Sequence, residues 1–158
     1  MRAFVAALFL FVMVVSCGGS RPASSTSGGH GLHSNPCDYL STTDFKQTLG
    51  MSLVGFRAGT ACTYRDQRGD TCQVTVVNSA GQYATSRTVA AGYGTVETLA
   101  VGDQGFYSSQ AQTPGVWIFD IGLMKSGNFA GAVCGGQLGT TDPKPRAVRL
   151  ADLIASRI

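Results

Sequence analysis

Four cysteines, at positions 37, 62, 72 and 134, constrain the fold of this chain more than any other feature of its sequence. If they pair, each pair fixes a contact between distant segments and stabilises the fold by about 2–4 kcal/mol. No two of them have the C-x₂-C spacing that is typical of zinc ligands, so no metal site is predicted. Whether they pair depends on the compartment in which the chain folds. The amino-terminal residues indicate that compartment.

An apolar run over residues 3–15 follows Met1-Arg2 and ends two residues before Cys17. The run is too short to span a membrane, which takes about 20 residues, but it suits the hydrophobic part of a secretory signal. Its end, Val14-Val15-Ser16-Cys17, resembles a bacterial lipobox. The resemblance implies a signal peptide over residues 1–16 and a thioether-linked lipid on Cys17. Two or more acyl chains would anchor the protein stably at the extracytoplasmic face of the cell membrane.

The next segment is rich in glycine, serine and proline and has almost no apolar content. Such a sequence cannot bury enough surface to offset the entropy of ordering it. We therefore expect a lipidated cysteine and a flexible tether over residues 17–36, followed by a single domain over residues 37–158. The formal net charge of the chain, +3, is small and dispersed, which argues against nucleic acid as a partner.

Both histidines of the chain, His30 and His33, fall in the expected tether. The domain then lacks the side chain that Ser-His-Asp and Cys-His catalysis require, and the usual imidazole metal ligand. A weak metal site in the His-Gly-Leu-His sequence is the alternative to a simple spacer. No cofactor is predicted.

In an exported domain, Cys37, Cys62, Cys72 and Cys134 predict two disulfides, for which three connectivities are possible. Residues 61–66 and 71–77 have the pattern of two strands around a turn at 67–70, in which Gly69 supplies a positive φ. If Asp66 lies opposite Thr71, Cys62 and Cys72 project from opposite faces of the hairpin. We therefore expect Cys37–Cys62 and Cys72–Cys134, although a shift of one residue in the register would reverse this argument.

The remaining pattern predicts an α+β fold, in which an antiparallel sheet is covered by a short N-terminal helix and a C-terminal helix and braced by two disulfides. Ser41 and Asp44 form a capping-box pattern at the start of the N-terminal helix, and Gly50 can end it. The C-terminal helix, expected within residues 142–158, has an apolar stripe that leaves Arg149, Asp152 and Arg157 on its outer side. Further expected elements are a helix over 82–93 and strands over 95–101, 105–109, 115–125 and 128–134.

Several short motifs together resemble the small actinobacterial cell-envelope lipoproteins of unknown function. They are NPCDYLSTTDFKQTLG at 35–50, CTYRD at 62–66, VGDQGFYS at 101–108 and the terminal helix. In that family a proline-cysteine pair opens a short helix, and a strand with a cysteine, a hydroxyl residue and an aromatic residue follows. The family has no settled activity, so the resemblance implies no catalytic residues.

The predicted function is non-catalytic: a lipid-anchored envelope protein whose domain binds a small apolar ligand, a wall polymer or another envelope protein. Two alternatives stay open. One is a hydrolase of envelope polymers that uses Glu97 with Asp103 or Asp120, and the other is a purely structural component. The Arg68-Gly69-Asp70 tripeptide is expected to serve its turn, not adhesion. Trp117, Phe119 and Ile121 are expected to form a core face, with the wall of a ligand groove as the alternative.

Overall fold

A computed structural model describes residues 32–158, and it confirms the α+β fold. Seven antiparallel strands form one sheet in the order β1-β2-β3-β7-β6-β5-β4. The strands are β1 Val54–Ala58, β2 Ala61–Arg65, β3 Thr71–Val77, β4 Val96–Leu99, β5 Gln104–Thr113, β6 Val116–Lys125 and β7 Asn128–Gln137. The α-helices are α1 Thr42–Thr48, α2 Ala80–Ala91 and α3 Lys144–Ala155, and a 3₁₀ turn at Pro36–Tyr39 precedes them.

Helix α1 has the cap that its sequence predicts. Ser41 Oγ accepts a hydrogen bond from the Asp44 amide (3.3 Å), and the Asp44 carboxylate accepts one from the Ser41 amide (2.7 Å). Leu40 and Phe45, which flank the cap at the positions of a hydrophobic staple, are both buried. Gly50 follows the helix with a φ of 78°. A helix of two turns is not stable alone, so its apolar residues need the sheet beneath them.

The two faces of the sheet are covered differently. One face, called here the α3 face, carries the main core, which includes Cys62, Cys72, Phe119 and Cys134 and packs against the 3₁₀ turn, α1 and α3. The other, called here the α2 face, carries a smaller cluster in which Tyr83 and Ala90 of α2 pack on Phe106, Met124 and Phe129. Helix α2 rests on strands β4–β7. The N-terminal helix α1 and the C-terminal helix α3 therefore both lie on the α3 face, and α2 lies on the α2 face.

Both expected disulfides are present, but the register used to predict them is wrong. Arg65, not Asp66, lies opposite Thr71. Asp66 belongs to the turn, where its amide donates to the carbonyl oxygen of Asp70 (3.1 Å). This one-residue shift places Cys62 and Cys72 on the same face of the hairpin, so alternation along the strands does not separate them.

What determines the pairing is the arrangement of the neighbouring elements. Cys72 and Cys134 lie directly opposite each other on β3 and β7, with Cα atoms 3.9 Å apart. Cys37 lies in the 3₁₀ turn and joins Cys62 on β2, with Cα atoms 4.9 Å apart. The connectivity was predicted correctly from an incorrect register.

Helix α3 closes the α3 face, and its apolar stripe is as expected. Ala147, Leu150, Ala151 and Ile154 are buried, and Asp152 is exposed. Arg157, expected on the outer side, instead forms two hydrogen bonds to the carboxylate of Asp44 (2.8 and 2.9 Å) and another to the carbonyl oxygen of Tyr39. The chain turns after Ala155, so the helical pattern no longer gives the direction of this side chain. Arg157 therefore ties the C-terminus to α1.

Strand β1 was not predicted. It follows α1 directly and forms one edge of the sheet, and all five of its residues are exposed. None of the helices among residues 32–158 has the length and apolarity to cross a membrane.

Candidate functional site

The carboxylates proposed for a hydrolase are not brought together. Glu97 projects from the α3 face and pairs with Lys144 (2.5 Å). Asp120 projects from the α2 face, since it lies opposite Ser108 and Val133 in the sheet. Asp103 lies in a loop, where its carboxylate accepts a hydrogen bond from the Ser126 amide (2.8 Å). A pair of carboxyl groups acting on one glycosidic bond must face the same cleft, and Glu97 and Asp120 lie on opposite faces of the sheet.

The Arg68-Gly69-Asp70 turn is a structural element. Asp70 is only 6% exposed, and its carboxylate accepts a hydrogen bond from the Gln137 amide on β7 (2.9 Å). The carboxylate of Asp66 accepts hydrogen bonds from the amides of Arg68 and Asp70 (2.8 and 3.0 Å). Gly69 has the expected positive φ, 92°. The carboxylate that an adhesion ligand would present is thus occupied inside the protein.

The other candidate residues that lie within 32–158 have structural roles. Phe119 and Ile121 are buried in the core, and Trp117 packs against its border and donates from Nε1 to the carbonyl oxygen of Gly139 (2.9 Å). The ring of His33 meets Tyr39 edge-on at 4.7 Å. Cys17 and His30 lie outside the described residues. Between residues 32 and 158, no three His, Cys, Asp or Glu side chains group as metal ligands do.

The most distinctive surface of the molecule is the part of the α2 face next to β1. It is defined by Val54 and Phe56 of β1, Thr63 and Arg65 of β2, Gln73 of β3 and Val133 of β7, and is called the open surface below. Strand pairing places Phe56, Thr63, Gln73 and Val133 in one row across the sheet. Val54 is 64% exposed, Phe56 41% and Val133 44%. Three large apolar side chains in contact with water on one flat surface are typical of an interaction site.

Arginine is the charged residue of the open surface. The guanidinium of Arg65 lies 4.5 Å from the centre of the Phe56 ring, which is a cation–π contact, and the side chain is exposed. Arg68 in the adjoining turn is also exposed. Asp66 and Asp70 line the same depression, and their carboxylates are fixed by hydrogen bonds within the turn. The open surface therefore combines apolar side chains with an arginine that can bind carboxylates.

At least two depressions lie on the described part of the surface, and these two are open to solvent. The larger, about 680 Å³, adjoins the open surface and is lined by Met51, Ser52, Val54, Arg65 and Arg68 among others. The smaller, about 380 Å³, lies at the tip of the β5–β6 hairpin against Pro114 and Trp117. Small-molecule sites usually enclose most of their ligand, whereas these depressions are shallow surfaces that suit a macromolecule.

Asp120 lies at the border between the open surface and α2. Its strand neighbours are Ser108, whose hydroxyl donates to the carbonyl oxygen of Ala90 at the end of α2 (3.3 Å), and Val133 of the open surface. Burial raises the pKa of the Asp120 carboxyl to about 7, from an ordinary value of 3.8. The border of the open surface therefore carries a carboxyl group that changes its charge near neutral pH.

The sequence analysis did not identify the open surface because β1 carries a weak strand signal. Val-Gly-Phe-Arg-Ala has an alternation of large and small residues, but its glycine lowers strand propensity. The glycine has a packing reason: a Cβ at position 55 would lie 2.5 Å from the Tyr64 ring. The alternation around Gly55 was the signal that could have identified the strand.

Comparisons with protein-family profiles, with characterised proteins and with solved structures found no match to this chain.

Proposed function

We propose that this protein is a lipid-anchored component of the cell envelope whose domain binds an envelope protein, without catalysis, through its open surface. The observation that carries the proposal is the exposure of Val54, Phe56 and Val133 on one face of the sheet, over the strands from β1 to β7. Large exposed apolar side chains on a flat sheet are the usual core of a protein interface, and aromatic and arginine side chains are enriched there.

The charge of the open surface indicates the chemistry of the partner. Arg65 and Arg68 border the apolar residues with donors that can bind carboxylates, and the carboxylates of Asp66 and Asp70, which line the same depression, are fixed by hydrogen bonds inside the turn. A partner surface with an apolar centre and carboxylates at its rim would complement this arrangement. The open depressions support a protein partner over a small apolar ligand, which needs a more enclosed site.

The lipid anchor is supported by two independent features. The sequence Val14–Cys17 resembles a lipobox, and the domain contains two disulfides, which form and persist in oxidising compartments. The first described residues also fit a tethered domain. Leu32 packs against the core of the α3 face, so the described chain begins on the side of the sheet away from the open surface. In this arrangement the attachment of the tether leaves the open surface uncovered.

Photocrosslinking in intact cells tests the proposed partner. A benzoylphenylalanine is placed at Val133 in the open surface and, as the matched control, at Gln47, an exposed residue of α1 on the opposite side. We expect an adduct with one envelope protein of discrete mass from position 133 only. Adding Arg65→Glu to the same chain should abolish that adduct, because it reverses the charge of the surface.

Three other outcomes contradict the proposal. Equal adducts from positions 133 and 47 would show that contact is not specific to the open surface. Adducts of dispersed mass that a glycosidase shortens would identify a wall polymer as the partner. No adduct from position 133 would leave the surface without a protein partner.

A further inference from the structure

The edge strand β1 carries unpaired backbone groups beside the open surface. Ala58 and Ala61 flank a two-residue turn, Gly59-Thr60, so they form a hydrogen-bonded pair, and such pairs alternate along antiparallel strands. Phe56 and Val54 therefore direct their backbone groups to β2. Gly55 and Arg57, in between, direct their N–H and C=O groups away from the sheet.

The β2–β3 hairpin gives the same result independently. The Asp66 amide donates to the Asp70 carbonyl oxygen, so the hydrogen-bonded pairs of that hairpin contain Tyr64 and Cys62. The alternate residues of β2, Thr63 and Arg65, then bond to β1, and their partners there are Phe56 and Val54. Both arguments leave Gly55 and Arg57 as the outward-facing residues of an exposed edge.

We propose that β1 pairs in an antiparallel fashion with β1 of a second copy of this chain, with Gly55 of both copies at the two-fold axis. The two sheets then form one continuous sheet, and each copy contributes to a shared open surface. The proposal deepens the proposed function and rests on it, because it concerns the same surface and uses the membrane anchor to orient the two copies.

The sequence around Gly55 is self-complementary in this register. Gly55 faces Gly55 of the second copy, and each donates its amide to the carbonyl oxygen of the other. Val54 of each copy then lies opposite Phe56 of the other in a non-hydrogen-bonded pair, the kind in which side chains approach most closely. Both of these apolar pairs lie on the α2 face and extend the open surface across the junction.

Charge disfavours the neighbouring register. A two-fold axis at Arg57, the other outward-facing residue, would place two Arg57 side chains directly opposite each other, and like charges in that position are destabilising. A two-fold axis at Phe56 would place Phe56 opposite Phe56 in a non-hydrogen-bonded pair and would bond Gly55 to Arg57. We propose the register centred on Gly55 because it forms two Val54–Phe56 pairs, and trapping between two Phe56→Cys chains in place of the mixed pair would identify the register centred on Phe56.

The tethers of the two copies are compatible with one membrane. A two-fold axis that relates antiparallel strands within one sheet is perpendicular to that sheet, so both α3 faces lie on the same side. Leu32 packs on the α3 face, and both chains therefore enter from one side. Both open surfaces then lie on the opposite side of the joined sheet, and confinement of the copies to one membrane raises their effective concentration.

The other edge of the sheet is a poorer candidate. Strand β4 has four residues, and its Glu97 is engaged with Lys144 of α3. Short edge strands with charged residues resist further pairing. Strand β1 is longer, contains no proline and has its single charge at Arg57.

Disulfide trapping in the native membrane tests the register. Two full-length chains with different tags are co-expressed, one carrying Val54→Cys and the other Phe56→Cys. The four cysteines of the described domain are already paired, so the introduced thiols are its only free ones. We expect a mixed-tag disulfide dimer from this combination. The matched control, Val133→Cys with Phe56→Cys, should give none, because position 133 lies three strands inward from the edge.

A proline variant tests whether the edge itself is responsible. Arg57→Pro in both chains removes the outward amide and blocks strand addition, whereas proline with its nitrogen toward solvent is tolerated on an edge strand. The trapped dimer should disappear in Arg57→Pro and persist in Arg57→Ala. Unchanged thermal unfolding of the monomer would establish that Arg57→Pro is folded. If that variant unfolds, Arg57→Glu gives a second test, because added charge at the edge also opposes pairing.

The results separate this inference from the proposed function. Absence of the mixed-tag dimer, or equal trapping in the Val133→Cys control, would overturn the pairing of β1 with β1. The crosslink from position 133 to an envelope protein is measured on the wild-type edge and decides the proposed function by itself. A crosslink without a trapped dimer would mean that the open surface acts in a single copy.

Discussion

At the scale of single residues, Asp120 is an ionisable group whose environment opposes its charged form. No cationic partner for it is found among residues 32–158, and burial raises the pKa of its carboxyl to about 7. Asp44 shows the reverse case. Hydrogen bonds from Arg157 and from Ser41 lower the pKa of its carboxyl to about 2. The two carboxyl groups therefore affect stability in separate ranges of pH.

In the wild type, ionisation of Asp120 should lower the free energy of unfolding between about pH 4 and pH 7, and Asp120→Asn should abolish this decrease. In this range the folded state binds more protons than the unfolded state, so the free energy of unfolding of the wild type falls as the pH rises. A shift of about three pKa units corresponds to at most about 4 kcal/mol. Asp120 is only partly shielded from solvent, so we expect a loss of about 1–4 kcal/mol in the wild type.

Chemical denaturation at pH 4.5 and pH 8 measures this difference. The Asp120→Asn variant should change less than the wild type, and the exposed Asp152→Asn should change as the wild type does. Equal pH dependence in all three proteins would show that Asp120 titrates like an ordinary carboxyl group. The Asp44–Arg157 pair does not interfere, because its contribution is lost only as the pH falls below about 4, toward 2.

At the scale of elements, the helices were predictable and the edge strand was not. Helix α1 has a capping box and a closing glycine, and α3 has a clear apolar stripe, so local sequence is sufficient for both. Strand β1 owes its position to its pairing with β2 and to the space that Gly55 leaves for Tyr64. Those are tertiary contacts, and the short alternation around Gly55 is a weak local signal for them.

The same distinction explains the hairpin and the candidate site. The turn at 67–70 was located correctly. Asp66 also belongs to this turn, because its carboxylate accepts hydrogen bonds from two amides of the turn, and the sequence pattern did not predict them. Predicting the open surface would require knowing which part of the sheet α2 leaves uncovered. Val54 and Val133 are distant in sequence and share one face of the sheet only through the pairing of four strands.

Helix α3 should be an integral part of the core, not a detachable segment. Leu150 is fully buried against the α3 face, so Leu150→Ala should lower the free energy of unfolding by about 2–5 kcal/mol. Asp152→Ala, on the exposed side of the same helix, should change it by no more than about 0.5 kcal/mol. Thermal or urea unfolding of both variants measures the difference. If Leu150→Ala unfolds together with Asp152→Ala and the wild type, α3 does not pack on the sheet in solution.

At the scale of the whole molecule, the fold covers the two faces of the sheet to different extents. The 3₁₀ turn, α1 and α3 cover the α3 face, and the described chain begins on that side at Leu32. The disulfide Cys37–Cys62 fastens the start of the domain to β2, next to the edge strand. Cys72–Cys134 joins β3 to β7, the two strands that link the hairpin at the edge to the rest of the sheet. Both covalent links thus hold the platform that carries the open surface.

The position of the open surface matters only if the chain is anchored at its amino-terminal end, and Cys17→Ala tests that. The variant lacks the thiol that a lipid would modify, so it should lose labelling by radioactive palmitate and accumulate as a precursor or leave the cell. Ser16→Ala, which keeps a small residue before Cys17, should be labelled as the wild type is. Cell fractionation should show the wild type and Ser16→Ala in the membrane, because two or more acyl chains suffice for stable anchoring. Normal labelling of Cys17→Ala would remove the anchor from the proposal, and with it the common orientation of two paired copies on one membrane. The crosslink from position 133 would then have to be explained by a protein free to approach its partner from any direction.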